Sequence, residues 1–205
     1  MSDQSTDLVI VVEDDPQMRR STETLLRSVG LNTLSFASAK DALDATLPDV
    51  TSCIVTDIRL PSIGGLDFQR RLIEREVRTP VIFVTGHGDI PMSVSAMKAG
   101  AVDFLTKPYR DQDLLDAINQ ALDRDRDRRG EEAALLATRA LFETLTRRER
   151  DVLDGVARGL LNKQIAAELG LAEITVKLHR SKVMKKLNAH SVADLVRLAE
   201  QIRPL

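Results

Sequence analysis

Three short apolar runs constrain this chain more than anything else in it. Leu8-Val9-Ile10-Val11-Val12, Cys53-Ile54-Val55 and Val81-Ile82-Phe83-Val84 are rich in β-branched residues and leave no polar alternate position. Runs of this kind are strands buried on both faces, as in a parallel sheet covered by helices on either side. The intervening segments fit that arrangement. Pro16 opens a helix stopped by Gly30, Leu31 to Phe36 is a second strand, and Ser38 caps a helix over 39–47. Ser52–Asp57 forms the third strand, a helix follows over about 65–76, and Pro80–Val84 is the fourth strand, ending in Thr85-Gly86-His87-Gly88. A helix over 91–99 stopped by Gly100, a fifth strand over Val102–Leu105, and a helix with the stripe Leu114, Leu115, Ile118, Ala121 and Leu122 complete the pattern. Five strands alternating with five helices predict a doubly wound five-stranded parallel α/β domain.

In such a sheet, functional groups gather beyond the carboxyl ends of the strands. That rim would hold Glu13 and Asp14 after the first strand, Asp57 at the end of the third, Thr85 after the fourth and Lys107 after the fifth. Asp57 ends a buried run and precedes a turn-forming stretch, Pro61-Ser62-Ile63-Gly64-Gly65. A carboxylate there must be paired, hydrated, metal-bound or chemically used. Clustered carboxylates repel unless a cation holds them, and a small all-oxygen site suits Mg²⁺. Asp57 could then attack a phosphoryl donor and carry an acyl phosphate, with Thr85 and Lys107 reaching the phosphoryl oxygens. The plainer alternative is an ion-paired rim without chemistry.

Residues 7–122 resemble the receiver domain of bacterial two-component response regulators, which have a flavodoxin-like fold. The resemblance is carried by Val12-Glu13-Asp14-Asp15-Pro16, Thr56-Asp57-Ile58-Arg59-Leu60-Pro61, Val84-Thr85-Gly86, and the stretch from Met97 to Pro108. It implies that Asp57 accepts a phosphoryl group from a histidine of a cognate sensor kinase. Self-catalysed transfer and slow autodephosphorylation would be the only enzymatic activity. It implies Mg²⁺ (or Mn²⁺) bound by Asp14, Asp57 and the Arg59 carbonyl, with Glu13 contributing mainly through water. Thr85 and Phe104 are the implied switch pair, and Lys107–Pro108 the implied cis bond. A phosphoryl group would draw in Thr85 and Lys107 and vacate space for the Phe104 ring. The face of the 91–99 helix, the fifth strand and the 111–122 helix would repack, making it the expected partner or dimer surface.

From Leu114 to about Leu145 the chain is helix-prone, with a run of alternating sign over 123–129 that reads as a solvated helix. Gly130 is a candidate interruption. The segment is expected to be a spacer helix, or else a coiled-coil contact between protomers. Charge is uneven along the chain. Residues 1–110 carry 12 Lys+Arg against 15 Asp+Glu (−3), residues 111–145 carry 5 against 9 (−4), and residues 146–205 carry 12 against 7 (+5). A basic end on an acidic chain points to a polyanionic partner.

Thr146-Arg147-Arg148-Glu149 is a capping box opening a helix to Arg158. A short helix over 162–169 ends at Gly170, and a longer one runs over about 173–187; together they form a helix-turn-helix signature. At 100° per residue, Val176, Val183 and Leu187 share one face of the longer helix, and Ile174, Lys177, Leu178, Ser181 and Lys185 share the other. Apolar residues among basic ones on an outward face fit insertion into a DNA major groove. Residues 146–199 resemble the LuxR/FixJ-type output domain, through Leu145 to Arg150, Gly159-Leu160, Asn162 to Ala166 and Thr175 to Arg180. The resemblance implies that Lys177, Leu178 and Ser181 lie near base edges, and that Asn162, Lys163, Thr175, Arg180 and Lys182 contact phosphates. His179 reads as a packed histidine. The family's usual Ser at both helix starts is replaced by Leu161 and Ala172. The helix over 192–202 is expected either to dimerise on DNA or to pack in the core.

No apolar run approaches the roughly 20 residues that span a bilayer. The stretch Met1 to Asp7 lacks the regions of a signal peptide, and the single Cys53 suits a reducing cytoplasm. The chain is therefore expected to be a cytoplasmic regulator without a membrane partner. Its expected parts are a receiver over 1–122, a helical linker over 123–143 and a four-helix DNA-binding domain over 144–205. Its expected partners are a sensor histidine kinase, double-stranded promoter DNA, a second copy when phosphorylated, and RNA polymerase. An aspartyl-phosphate phosphatase is the rival enzymatic reading, but Arg59 stands where its second catalytic carboxylate is needed, and it leaves the C-terminal helices without a role. A DNA-binding protein whose receiver serves only to dimerise is the other rival.

Overall fold

The computed structural model describes residues 7–86 and 90–202. His87 and Gly88, named above at the end of the fourth strand, lie outside them. The chain divides into two compact units, Met1–Arg129 and Gly130–Leu205.

The first unit is built on β1 (Leu8–Val12), β2 (Asn32–Phe36), β3 (Ser52–Asp57), β4 (Val81–Thr85) and β5 (Asp103–Thr106). All pairings are parallel and the spatial order is β2-β1-β3-β4-β5. Every residue of β1, β3 and β4 is buried, as their composition requires. Alternate side chains enter two separate cores. Ile10, Val12, Ile54 and Phe83 join residues of α2 (Ala39–Asp44), α3 (Gly65–Glu74) and α4 (Ile90–Lys98). Val9, Val11, Cys53, Val55 and Ile82 join residues of α1 (Pro16–Ser28) and α5 (Asp111–Glu143). The expected doubly wound sheet is therefore the one observed.

Several expected boundaries move for local reasons. Helix α2 ends at Asp44 rather than at 47, because Ala45 is already extended (ψ 145°) and Pro48 bars helical backbone at the residue before it. Gly130 does not interrupt α5, which runs unbroken from Asp111 to Glu143. A glycine costs a helix interior only about 1 kcal/mol, and the preceding turn is tied by Arg128 and Arg129 to Asp125 at i,i+3 and i,i+4. Nor is the charged run wholly solvated. Asp125 is 0% exposed. It accepts the Ser52 backbone N–H (3.0 Å), Arg128 Nε (3.2 Å) and Nη2 (2.5 Å), and Arg129 Nε (2.8 Å). Arg129 also reaches Asp49, at 2.6 Å.

The second unit contains α6 (Arg147–Ala157), α7 (Asn162–Leu169), α8 (Glu173–Lys186) and α9 (Val192–Ile202). The capping box forms: Glu149 N donates to Thr146 Oγ1 (3.3 Å) and Thr146 N to Glu149 Oε2 (2.8 Å). Glu149 is buried and also holds Lys186 Nζ at 2.7 Å. Gly170 closes α7 in the left-handed region (φ 65°), which a residue with a Cβ adopts only at a cost. Neither Leu161 before α7 nor Ala172 before α8 offers a capping oxygen. Leu195 and Ala199 of α9 lie in the core with Val196 packed against it, whereas Val192 is exposed.

Candidate functional site

Strand register assembles the acidic rim. Val12 pairs with Thr56, so the next residues on the two strands, Glu13 and Asp57, stand side by side at the switch point between β1 and β3. Both are buried, at 5% and 8% exposure. Asp57 pairs with Val84 and Thr85 with Thr106, which places Thr85 and Lys107 on the neighbouring strand ends. Lys107 Nζ lies 2.6 Å from Glu13 Oε2 and 2.7 Å from Asp57 Oδ2. Burial pulls the Lys107 ammonium down, but its bonds to Asp57 and Glu13 outweigh that and hold its pKa above the usual lysine value. It is a fixed positive charge between two carboxylates.

The remaining contacts orient these groups. Asp57 Oδ1 accepts the Arg59 backbone N–H at 2.8 Å, and Glu13 Oε1 accepts the Asp15 N–H at 3.3 Å. The Arg19 guanidinium donates to the Glu13 carbonyl at 2.7 Å. Thr85 is fully buried, and its carbonyl accepts the Lys107 N–H at 2.7 Å. The Lys107–Pro108 bond is cis. Phe104 is half-buried against the α2–α4 core and pairs in register with Phe83.

Glu13, Asp57, Thr85 and Lys107 are thus brought together, whereas Asp14 sits on the exposed rim. Asp15 has a different role from its acidic neighbours: its Oδ1 accepts Gln17 N (2.7 Å) and Met18 N (3.3 Å) and so caps α1. An aspartate just before Pro16 was the available signal for this. Gly65, expected only as part of the turn-forming stretch and the start of a helix, lies directly against the site. A Cβ there would lie 2.5 Å from the Asp57 carbonyl oxygen, 2.9 Å from Ile58 Cα and 3.1 Å from Phe83 Cε1. Its N–H donates to the Ile58 carbonyl at 2.8 Å. Only glycine lets α3 start this close beneath the phosphoacceptor candidate.

Glu13, Asp14, Asp57 and the Arg59 carbonyl offer only oxygen donors, which fits a hard divalent cation. Among the described residues no three acidic, histidine or cysteine side chains already converge into a metal cage. At this rim Lys107 sits between the two buried carboxylates that the expected cation would share, and the third acid, Asp14, lies on the exposed side.

On α8 the anticipated division of faces is present. Val176, Val183 and Leu187 are buried, while Ile174 and Leu178 are 73% and 56% exposed. Lys177, Ser181 and Lys182 are exposed beside them, as is Lys163 on α7. Asn162 and Arg180 meet across the two helices, Nη1 to Oδ1 at 3.0 Å, and with Thr175 they are half-buried. Lys177 pairs with Glu173 one turn earlier at 3.1 Å, on the exposed surface where such a bond is readily exchanged. His179 is half-buried, with its Nδ1 enclosed and lacking a hydrogen-bond partner. The helix pair therefore offers apolar, hydroxyl and cationic groups on one accessible face.

Comparisons with known proteins match both parts of the chain to known families. Residues 9–119 match the response regulator receiver domain, and residues 143–199 match the bacterial regulatory proteins of the luxR family. The chain is 57% identical over 195 residues to nodulation protein W of Bradyrhizobium diazoefficiens, covering 95% of this chain and 86% of that protein. It is 42% identical over 191 residues to the transcriptional regulatory protein FixJ of Azorhizobium caulinodans, covering 93% and 90% of the two chains. The solved structure of the response regulator StyR is similar with a TM-score of 0.84 at 46% identity, covering 95% of this chain and 98% of that one.

Proposed function

The chain belongs to the response regulators that join a receiver domain to a LuxR-type DNA-binding domain, and on that premise we propose that Asp57 is its phosphoacceptor and α8 its recognition helix. As a family member it is a transcriptional regulator of a two-component system, which implies a histidine kinase and DNA as partners.

The observation that carries the proposal is the buried Glu13–Lys107–Asp57 bridge at the sheet's switch point. A carboxylate oxygen of Asp57 attacks the phosphorus of a phosphohistidine whose other ring nitrogen already carries a proton, the P–N bond breaks with its electron pair going to nitrogen, and neutral imidazole leaves. Lys107 keeps its charge throughout and can follow the phosphoryl oxygens, releasing Asp57 Oδ2 for bond formation. Arg59 N holds the other carboxylate oxygen in place. Glu13, Asp14, Asp57 and the Arg59 carbonyl would hold Mg²⁺ or Mn²⁺, which when bound supplies charge neutralisation and in-line orientation of the phosphoryl group. The Thr85 hydroxyl and the Phe104 ring would respond to the new phosphoryl charge and repack the face formed by α4, β5 and α5. Exposed Val94 and Met97 on α4 give that face apolar area for a second copy.

In this reading Lys177, Leu178 and Ser181 face base edges, and Asn162, Lys163, Thr175, Arg180 and Lys182 face phosphates. Exposed Val192 adds to a dimer contact along α9. The receiver spans residues 1–122, α5 continues as the linker over 123–143, and the output domain follows. Contact with RNA polymerase would complete the transcriptional role. No helix among the described residues is long and apolar enough to cross a membrane, and the chain would act in the cytoplasm.

The test measures duplex binding and sedimentation of wild type and Asp57→Asn, each with and without Mg²⁺ and a small phosphodonor. Wild type plus both additions should dimerise and bind at lower concentration than the other samples. Identical behaviour in all samples would overturn phosphorylation control.

A further inference from the structure

At the opposite end of the strands from Asp57, the amino ends of β3, β4 and β5 open into two adjoining clefts that neither phosphoryl transfer nor DNA binding uses. The larger, about 360 Å³, is lined by Arg75, Arg78, Arg128 and Arg129 around an apolar floor, with Asp49 as its carboxylate. The second, about 260 Å³, is lined by Arg78, Arg124 and Arg128 and has no acid in its lining. The two share the wall formed by Arg78, Thr79 and Arg128. This concentration of arginine runs against its surroundings, since residues 1–110 carry 12 basic against 15 acidic groups and residues 111–145 carry 5 against 9.

Three of the guanidinium groups, those of Arg75, Arg128 and Arg129, are held by hydrogen bonds to the protein itself. Buried Asp125 grips Arg128 and Arg129, which fixes two of the cations before any ligand arrives. Arg75 commits Nη1 to the Leu43 carbonyl at 2.5 Å, and Arg129 commits Nε and Nη1 to Asp125 and Asp49. Each guanidinium carries five N–H donors in a planar fork suited to phosphate oxygens. Cleft volumes of a few hundred Å³ are those of small-molecule sites. Asp49, with its side chain 95% exposed, stands at the mouth and would repel an extended polyanion laid across it.

We propose that these clefts form a binding site for a small phosphate-bearing molecule with at least two negative charges. Its phosphates lie between Arg75, Arg78, Arg124 and Arg129, and it competes with Asp49 for the Arg129 guanidinium. Because Arg128 and Arg129 also tie α5 to the start of β3 through Asp125 and Ser52, occupancy acts on the anchoring of α5 by a route separate from Asp57.

Isothermal calorimetry of the full chain with pyrophosphate, without divalent cations and at about 0.15 M salt, tests this. The samples are wild type, Arg78→Ala/Arg124→Ala, Arg75→Ala, Asp57→Asn and Lys177→Ala/Lys182→Ala. Wild type should show saturable binding of one pyrophosphate per chain. The double arginine variant should weaken it by about tenfold or more, the scale expected for losing charge-assisted hydrogen bonds. Arg75→Ala should weaken it in the same direction, which keeps the test should the double variant fail to fold. Asp57→Asn and the lysine variant should bind as wild type does. Absence of saturable heat, or equal affinity in the arginine variants, would overturn the site. Loss of binding in Asp57→Asn or in the lysine variant would assign the anion to another surface. Displacement of pyrophosphate by a DNA duplex in the lysine variant would make the clefts a nucleic-acid surface and overturn the small-ligand assignment.

Discussion

Replacing Asp125 by alanine should be the costliest change of a single charged residue in the α5 segment, and the structure lets the cost be worked out. Asp125 is 0% exposed and is the acceptor of the Ser52 N–H, itself on a residue only 3% exposed. Removing the carboxylate leaves that N–H buried and unsatisfied, at about 1–3 kcal/mol. Arg128 and Arg129 each also lose this one partner, but their side chains are 27% and 29% exposed and can turn outward. Their share is therefore limited to about 1 kcal/mol. The expected destabilisation is about 2–4 kcal/mol for Asp125→Ala. It is about 1 kcal/mol for Asp125→Asn, whose amide oxygen still accepts from Ser52, and below about 0.5 kcal/mol for Asp49→Ala at the exposed rim.

The assay is urea unfolding of the full chain followed by tyrosine fluorescence. The chain has one tyrosine, Tyr109, and no tryptophan, so the signal reports the first unit alone. Acid adds a second signature. Burial pushes the Asp125 carboxyl up, but the Arg128 guanidinium, the Ser52 N–H and Arg129 outweigh it and hold its pKa below the usual aspartate value. Its stabilisation is complete above the unfolded value of about 3.9 and is lost as pH falls through the lower folded value. Asp125→Asn should lack that acid-side loss. A wild-type-like midpoint for Asp125→Ala, or equal effects of Asp125→Ala and Asp49→Ala, would refute the argument.

Other substitutions test the second unit. Leu161→Ser supplies an N-cap oxygen to α7 and removes an apolar side chain that is 70% exposed; thermal unfolding by circular dichroism should show a gain of about 0.5–1 kcal/mol. Glu149 is held below the usual glutamate pKa because Lys186 and the Thr146 N–H overcome its burial. Its contribution should be full above about pH 4.3 and fall away in more acidic solution, so Glu149→Gln should flatten the acid limb of that unit's melting-temperature profile. Lys177→Ala should relax sequence preference in competition binding with mutated operators, whereas Lys182→Ala should weaken all sequences alike and lower the salt slope by about one. Equal effects of the two would remove the assignment of Lys177 to base edges.

What was legible in the sequence depended on whether a residue's role is set within its own element. The strand runs and the residues at their carboxyl ends could be placed because burial on both faces leaves a strand no other pattern. Val176, Val183, Ile174 and Leu178 could be assigned to opposite faces of α8 because helical periodicity alone decides it. Asp125 could not be recognised as buried, because its partner Ser52 is 73 residues away and the local alternation of charge looks solvated. The continuity of α5 through Gly130 was hidden for a related reason: the preceding turn is tied by Arg128 and Arg129 to Asp125, and the burial of that carboxylate against Ser52 is invisible in the local pattern. The rim residues were identifiable, but the placement of Lys107 between Glu13 and Asp57, which decides the electrostatics, follows only from strand register. The arginines of the two clefts come from two distant stretches of chain, 75–78 and 124–129, and form no motif.

Gly65 carries a consequence for genetics rather than for chemistry. Its missing Cβ is the space into which the Asp57 carbonyl oxygen projects, 2.5 Å from where that atom would be. An alanine there can be accommodated only by shifting backbone, and the backbone that must shift carries the proposed phosphoacceptor. A random-mutation screen for loss of signalling would therefore recover Gly65 variants alongside those of Asp57 and Lys107, and rank them as active-site lesions. A suppressor search would separate the classes. Compensating changes that relax packing at Phe83 or at the start of α3 can restore a Gly65 variant, whereas no repacking replaces the carboxylate of Asp57.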